Sequence, residues 1–192
     1  MSRERHLRLR RATFNDVPVL ECWDADPDVI AATTDDDTTD RAFGGLEWRD
    51  ELGQDSDVSY HLIAEVDGRP VGAMQVCDPH VEPTHYWGVI APNLRAIDIW
   101  IGADSDRNKG YGREMMRLAH ERCFADPTVT AIVIDPLARN TRAIAFYHRL
   151  GYVTVERRMF GDDDCFVLTL SRDAWRATRD AKLDFCRQPP PW

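Results

Sequence analysis

Residues 95–112 read Arg95-Ala96-Ile97-Asp98-Ile99-Trp100-Ile101-Gly102-Ala103-Asp104-Ser105-Asp106-Arg107-Asn108-Lys109-Gly110-Tyr111-Gly112. The first half alternates: Ile97, Ile99 and Ile101 share one face, Asp98 and Trp100 the other, which is the period of a strand. Beyond Gly112 the apolar residues Met115, Leu118, Ala119 and Cys123 recur at helical spacing, to about Phe124. Between the two lies a polar loop with glycines at its end. Glycines just before a helix let backbone N–H groups turn inward, and the helix start carries about half a positive charge. Strand, loop and helix together can seat a pyrophosphate. Arg107, Lys109 and Arg113 add cationic donors nearby. The loop is neither a P-loop, lacking Gly-Lys-Ser/Thr, nor a dinucleotide fingerprint, lacking Gly-x-Gly-x-x-Gly. Taken alone it also fits a plain strand-to-helix turn.

Working upstream, Tyr60–Val66 and Pro70–Cys77 read as strands joined by Asp67-Gly68, both of which tolerate positive φ, so a hairpin is expected. Leu7–Arg11 alternates apolar and charged residues as a first strand. Thr13 offers an N-cap to a helix running to about Trp23. Residues 24–40, rich in Asp, Thr and Pro, read as loop or broken helix, and 43–52 as a short helix. Residues 78–93 hold three prolines and no period, hence a long loop of the kind that often carries function.

Downstream, Pro127 breaks the helix and Ala131–Ile134 is a short apolar strand. Asn140 can cap a helix with Ala143, Ile144, Phe146, Tyr147 and Leu150 inward, ended by Gly151 in the αL position. Tyr152–Met159 and Cys165–Leu170 form a last hairpin around Gly161, and a helix is expected from Arg172 to about Lys182. This order implies an α/β (α+β) fold: one domain over 1–185 with a tail at 186–192, a mixed sheet, and helices on both faces.

The chain has 192 residues and a net charge of −9. An acidic balance argues against a nucleic-acid partner and for a cationic one. No apolar run is long enough to cross a bilayer, and the basic start, Met1–Arg11, has no apolar core of a secretory signal. Five scattered cysteines argue for reduced thiols in a cytosol. The expectation is a cytoplasmic monomer or homodimer. His80 and His85 flank Glu82, but their spacing matches no metal motif, so no metal is expected.

Arg107-Asn108-Lys109-Gly110-Tyr111-Gly112 matches the motif [R/Q]-x-x-G-x-[G/A] at each specified position, and the chain resembles the GNAT acetyltransferases. The resemblance implies a mixed, mostly antiparallel twisted sheet with helices on both faces, and acetyl-CoA as cosubstrate. It implies that the amides of 107–112, with Arg113, hold the pyrophosphate, while the backbone of Ile99, Trp100 and Ile101 and the residues Asn140, Ala143 and Phe146 meet the pantetheine. Tyr147 would protonate the departing thiolate.

Asp98 is a carboxylate flanked by Ile97, Ile99 and Trp100. Burial would raise its pKa, which suits a general base; a surface position or a pair with Arg95 is the alternative. Asp135 ends the next strand, where ligand crevices form, and could equally open an Asp-Pro turn. The stretches 95–102 and 134–144 resemble the aminoglycoside 6′-N-acetyltransferases. That likeness implies a cationic small-molecule amine as substrate, with Asp98 and Asp135 on its ammonium groups and the loop's Asp78, Glu82, Tyr86 and Trp87 shaping an acidic cleft.

Overall fold

A computed structural model describes residues 6–43 and 47–187. The strands are β1 (Leu7–Arg11), β2 (Ser59–Val66), β3 (Arg69–Cys77), β4 (Leu94–Ile101), β5 (Ala131–Ile134), β6 (Val153–Phe160) and β7 (Asp163–Ser171). The helices are α1 (Val17–Asp24), α2 (Pro27–Thr33), α3 (Trp48–Gly53), α4 (Tyr111–Ala125), α5 (Thr141–Arg149) and α6 (Arg172–Arg187). The strands form one sheet in the order β1-β2-β3-β4-β5-β7-β6, antiparallel throughout except between β4 and β5.

Each face of the sheet has its own core. On one, Met115, Met116, Ala119 and Cys123 of α4 pack on Leu62, Met74, Val76 and Ile97. On the other, Leu20 and Trp23 of α1 and Trp48 and Leu52 of α3 cover Ile63, Ala73 and Trp100. The β2–β3 turn is tight because Asp67 (φ 52°) and Gly68 (φ 80°) both accept positive φ. That turn fixes the register in which His61 faces Gln75, and Gln75 in turn faces Asp98.

One irregularity makes the site. β5 pairs with β4 only along Leu94–Ala96. Beyond that point the two strands part, and the β4 edge from Ile97 to Ile101 is left open. The Gly102 amide donates to the Val71 carbonyl (3.1 Å). Because bonding direction alternates along an antiparallel strand, the backbone N–H and C=O groups of Ile97, Ile99 and Ile101 point away from β3, into the gap.

Several boundaries differ from the sequence expectation. Part of 24–40 is helical: Asp26 caps α2, its Oδ1 accepting the amide of Asp28 (2.9 Å), and Pro27 starts it. The short helix expected over 43–52 is α3, and residues 44–46 lie outside the described residues. β7 starts at Asp163, within the acidic run after Gly161, because Phe160 and Met159 pair with Asp163 and Asp164. α6 continues to Arg187, past the expected end near Lys182 and across the expected domain boundary. Residues 188–192 of the expected tail, and 1–5 of the basic start, are outside the described residues.

Candidate active site

A cleft of about 1390 Å³ opens where β4 and β5 part. Its basic half, by α4 and α5, is lined by Arg113, Arg142 and Arg149, with Arg107 offset there by Asp28 and Asp104; Glu51, Asp55, Glu82, Asp98, Asp135 and Asp163 line the acidic half.

The basic half is built around the start of α4. Gly110 is its N-cap at φ 83°, a conformation that costs a residue with a Cβ about 1 kcal/mol or more. The first backbone bond of the helix is Glu114 N–H to Gly110 C=O (3.2 Å). The amides of Gly112 and Arg113 therefore have no partner within the helix, and both residues line the cleft. Across from them stand Asn140, Ala143 and Phe146 of α5. Asn140 Oδ1 caps α5 by accepting the Ala143 amide (3.0 Å), as the sequence implied. Asn108 Oδ1 accepts from Arg142 Nη2 (2.7 Å), which binds the loop to α5.

Three residues of the 107–112 motif lie differently from the sequence expectation. Arg107 is occupied: its guanidinium pairs with Asp28, with Asp26 (3.3 Å) and with the Gly102 carbonyl (3.2 Å), so it anchors α2 to the loop. Lys109 pairs with Asp106 (3.5 Å) and is not among the cleft-lining residues. The Tyr111 side chain is buried with the α4 core. What the motif contributes to the cleft is backbone, with Arg113 and Arg142 as the nearby cations.

In the acidic half, Asp98 stands on the cleft face of β4, exposed to the cleft. It takes no hydrogen bond or ion pair from the described residues. Arg95, the alternative partner, goes instead to Asp78 (3.0 Å) and Asp126 (3.2 Å). Desolvation, and then the charge of Asp135, push the Asp98 carboxyl well above the ordinary range. Desolvation raises Asp135 as well, against the hydrogen bond it accepts from Tyr86 Oη (2.6 Å). Tyr147 is 8% exposed. Burial, with the charges of Asp98 and Asp135, pushes its hydroxyl upward and keeps it protonated.

The 78–93 loop divides its residues. Tyr86 stacks on Phe160 (4.7 Å between centroids) with its hydroxyl on Asp135. Trp87 is buried against Phe160, and its carbonyl accepts from Arg158 (3.1 Å). Glu82 is committed to the loop itself: it accepts from the Thr84 amide and hydroxyl (2.7 and 2.6 Å) and the Tyr86 amide (2.7 Å). It therefore positions Tyr86, and Asp78 is held by Arg95. His80 turns to the Ile90 carbonyl (2.9 Å).

The sequence reading missed His61, Gln75, Asp55, Trp48 and Asp163, all of which line the cleft. The Asp67-Gly68 turn was a usable signal for two of them, since its register sets His61 and Gln75 in one row with Asp98. Nothing local marked Asp55 or Asp163.

The Acetyltransferase (GNAT) domain family matches residues 13–160. Aminoglycoside N(6′)-acetyltransferase type 1 of Klebsiella pneumoniae is 31% identical over 129 residues, which is 67% of this chain and 63% of that protein. The alignment thus spans less than two thirds of the relative's length. A kanamycin resistance protein of Rhizobium radiobacter is 33% identical over 88 residues, 46% of this chain and 82% of its own. Among solved structures, AAC(6′)-Ib in complex with ribostamycin and coenzyme A superposes with a TM-score of 0.78 at 26% identity, over 90% of this chain and 97% of that one. Spermidine N-acetyltransferase from Vibrio cholerae shares the fold at 13% identity and a TM-score of 0.68, over 88% of this chain and 98% of its own. With the parted β4 and β5, the αL glycine at the start of α4 and a family match over most of its length, the chain belongs to the GNAT acetyltransferase family.

Proposed function

We propose that the protein transfers an acetyl group from acetyl-CoA to a primary amine of an aminoglycoside, most simply the 6′-amine, by direct attack in a ternary complex. The observation that carries this reading is one cleft that joins the amides at the α4 start to the Asp98–Asp135 carboxyls. The basic half fits a nucleotide thioester, and the acidic half a polycationic acceptor. The Klebsiella pneumoniae relative is named as an acetyltransferase of that class of acceptor, and the Asp98–Asp135 pair suits an acceptor with several ammonium groups.

The groups in the basic half fit coenzyme A. The free amides of Gly112 and Arg113 at the α4 start, with Arg113 and Arg142, suit a pyrophosphate. The open β4 edge suits the amide-bearing pantetheine arm, and acetyl-CoA supplies the reactive thioester. Asp98 takes the proton from the acceptor ammonium. Its raised pKa places it where proton affinity and ionisation are both useful. An outward N–H of β4, at Ile99 or Ile101, polarises the thioester carbonyl. Tyr147, held protonated, gives its proton to the sulfur as it leaves. Asp135 and Tyr86 hold the acceptor's other charges. Free cysteines among the described residues (Cys22, Cys77, Cys123 and Cys165) accord with a cytoplasmic setting.

A thiol-release assay with acetyl-CoA tests this against kanamycin, spermidine and an N-terminal peptide. Turnover with kanamycin well above the other two is expected. Preference for the peptide would refute the acceptor class.

A further inference from the structure

His61 lies in β2 on the same sheet face as Asp98, two strands away, with Gln75 between them. The residue is 5% exposed and lines the cleft. The ring is not free to turn. Nδ1 is 2.8 Å from Asp55 Oδ1, and the backbone N–H of the same residue donates to Asp55 Oδ2 (3.0 Å). Trp48 packs edge-on against it, 5.5 Å between centroids. Nε2 takes no hydrogen bond from the described residues. Nε1 of Trp48, whose ring packs on His61, is buried without a partner among the described residues, an uncommon condition for an indole donor.

An ionised carboxylate can only accept, so Asp55 requires the proton on Nδ1. In that tautomer Nε2 carries a lone pair, on a residue that lines the cleft. Two inter-strand steps separate the roots of His61 and Asp98, roughly 10 Å. On the reading that this cleft takes a polyamino sugar, we infer that His61 Nε2 is a second acceptor-binding point, which accepts a hydrogen bond from an ammonium or hydroxyl remote from the amine that is acetylated. Asp55 is its positioning residue. The pair selects acceptors long enough to reach from Asp98 to β2.

The Asp55 geometry makes a sharp test. In Asp55→Asn the backbone N–H of His61 still needs the one oxygen, so the new NH2 must face Nδ1. The ring proton moves to Nε2, which turns from acceptor to donor while the shape of the site is unchanged. The experiment compares wild type, His61→Ala, His61→Gln and Asp55→Asn with two acceptors: kanamycin, and a single-ring 6-amino-6-deoxyglucoside too short to span both points. KM for kanamycin is expected to rise roughly tenfold in His61→Ala and in Asp55→Asn. His61→Gln, whose amide oxygen reaches about as far as Nε2, keeps most of the affinity. KM for acetyl-CoA and for the single-ring acceptor stays at the wild-type value in all three. A rise below threefold for kanamycin in both His61→Ala and Asp55→Asn overturns the inference, and so does an equal loss with both acceptors, which would mean simple distortion. Wild type that neither turns over nor binds kanamycin in calorimetry refutes the proposed acceptor class, and this inference with it.

Discussion

Replacing Asp98 by Asn removes one charge and one proton acceptor while keeping the side chain's size. Loss of a positioned general base typically costs 10²–10⁴ in rate, which is about 2.7–5.4 kcal/mol of barrier. The upper part of that range applies only if no neighbour substitutes, and Asp135 is the nearest carboxyl that could, so roughly 10³ in kcat is expected. Acetyl-CoA binding should hold, because Asp98 lies outside the basic half. The pH dependence carries more information. Burial, then Asp135, raise the Asp98 pKa, and a base works only when ionised, so wild-type kcat/KM falls on acidification at a pH where an ordinary aspartate would still be charged. That limb should vanish in Asp98→Asn.

Stability moves the other way. A folded-state pKa above the unfolded one means that the native state binds the extra proton. Its stability is greatest below the unfolded pKa and falls as pH rises through the folded value. Asn cannot ionise, so the variant should melt above wild type at pH 8, and the gap should close at pH 4. Turnover within threefold of wild type, or a melting gap equal at the two pH values, would refute the reasoning.

Tyr147→Phe should lower kcat roughly 100-fold with little change in either KM, read in the same assay, since the hydroxyl acts only as the thiolate leaves. Gly102→Ala should cost about 2 kcal/mol and several degrees in thermal melting, because its Cβ would land within the indole of Trp23. Arg10→Ala should cost about 3 kcal/mol or more, since Arg10 bonds buried Asp16 at 2.7 Å twice and buried Glu65 at 2.7 Å. Although burial opposes it, the bonds from Arg10 hold both carboxyls below their usual range. The wild type should lose that stabilisation as pH falls through the lowered values, and denaturation followed from pH 7 to pH 2 should be shallower in Arg10→Ala.

What the sequence determined by itself was local in cause. Alternation in 95–101, positive-φ residues at 67–68, the capping Asn140 and the glycines before α4 each act over a few residues, so strand, turn, cap and phosphate-type loop could all be read in order. The oddness of Asp98 among isoleucines was legible for the same reason. What only the tertiary structure decided was which polar groups remain unspent. Arg107, Lys109 and Glu82 looked available, and ion pairs or loop bonds with Asp26, Asp28, Asp106, Thr84 and Tyr86 occupy them. His61 looked like an ordinary strand residue, and register with Gln75 and a contact with Asp55 fix its ring in the cleft. A side chain's chemistry is written in its own atoms, but its availability depends on partners that chain folding brings from elsewhere, and one β4–β5 pairing that stops at Ala96 opens the space in which those groups meet.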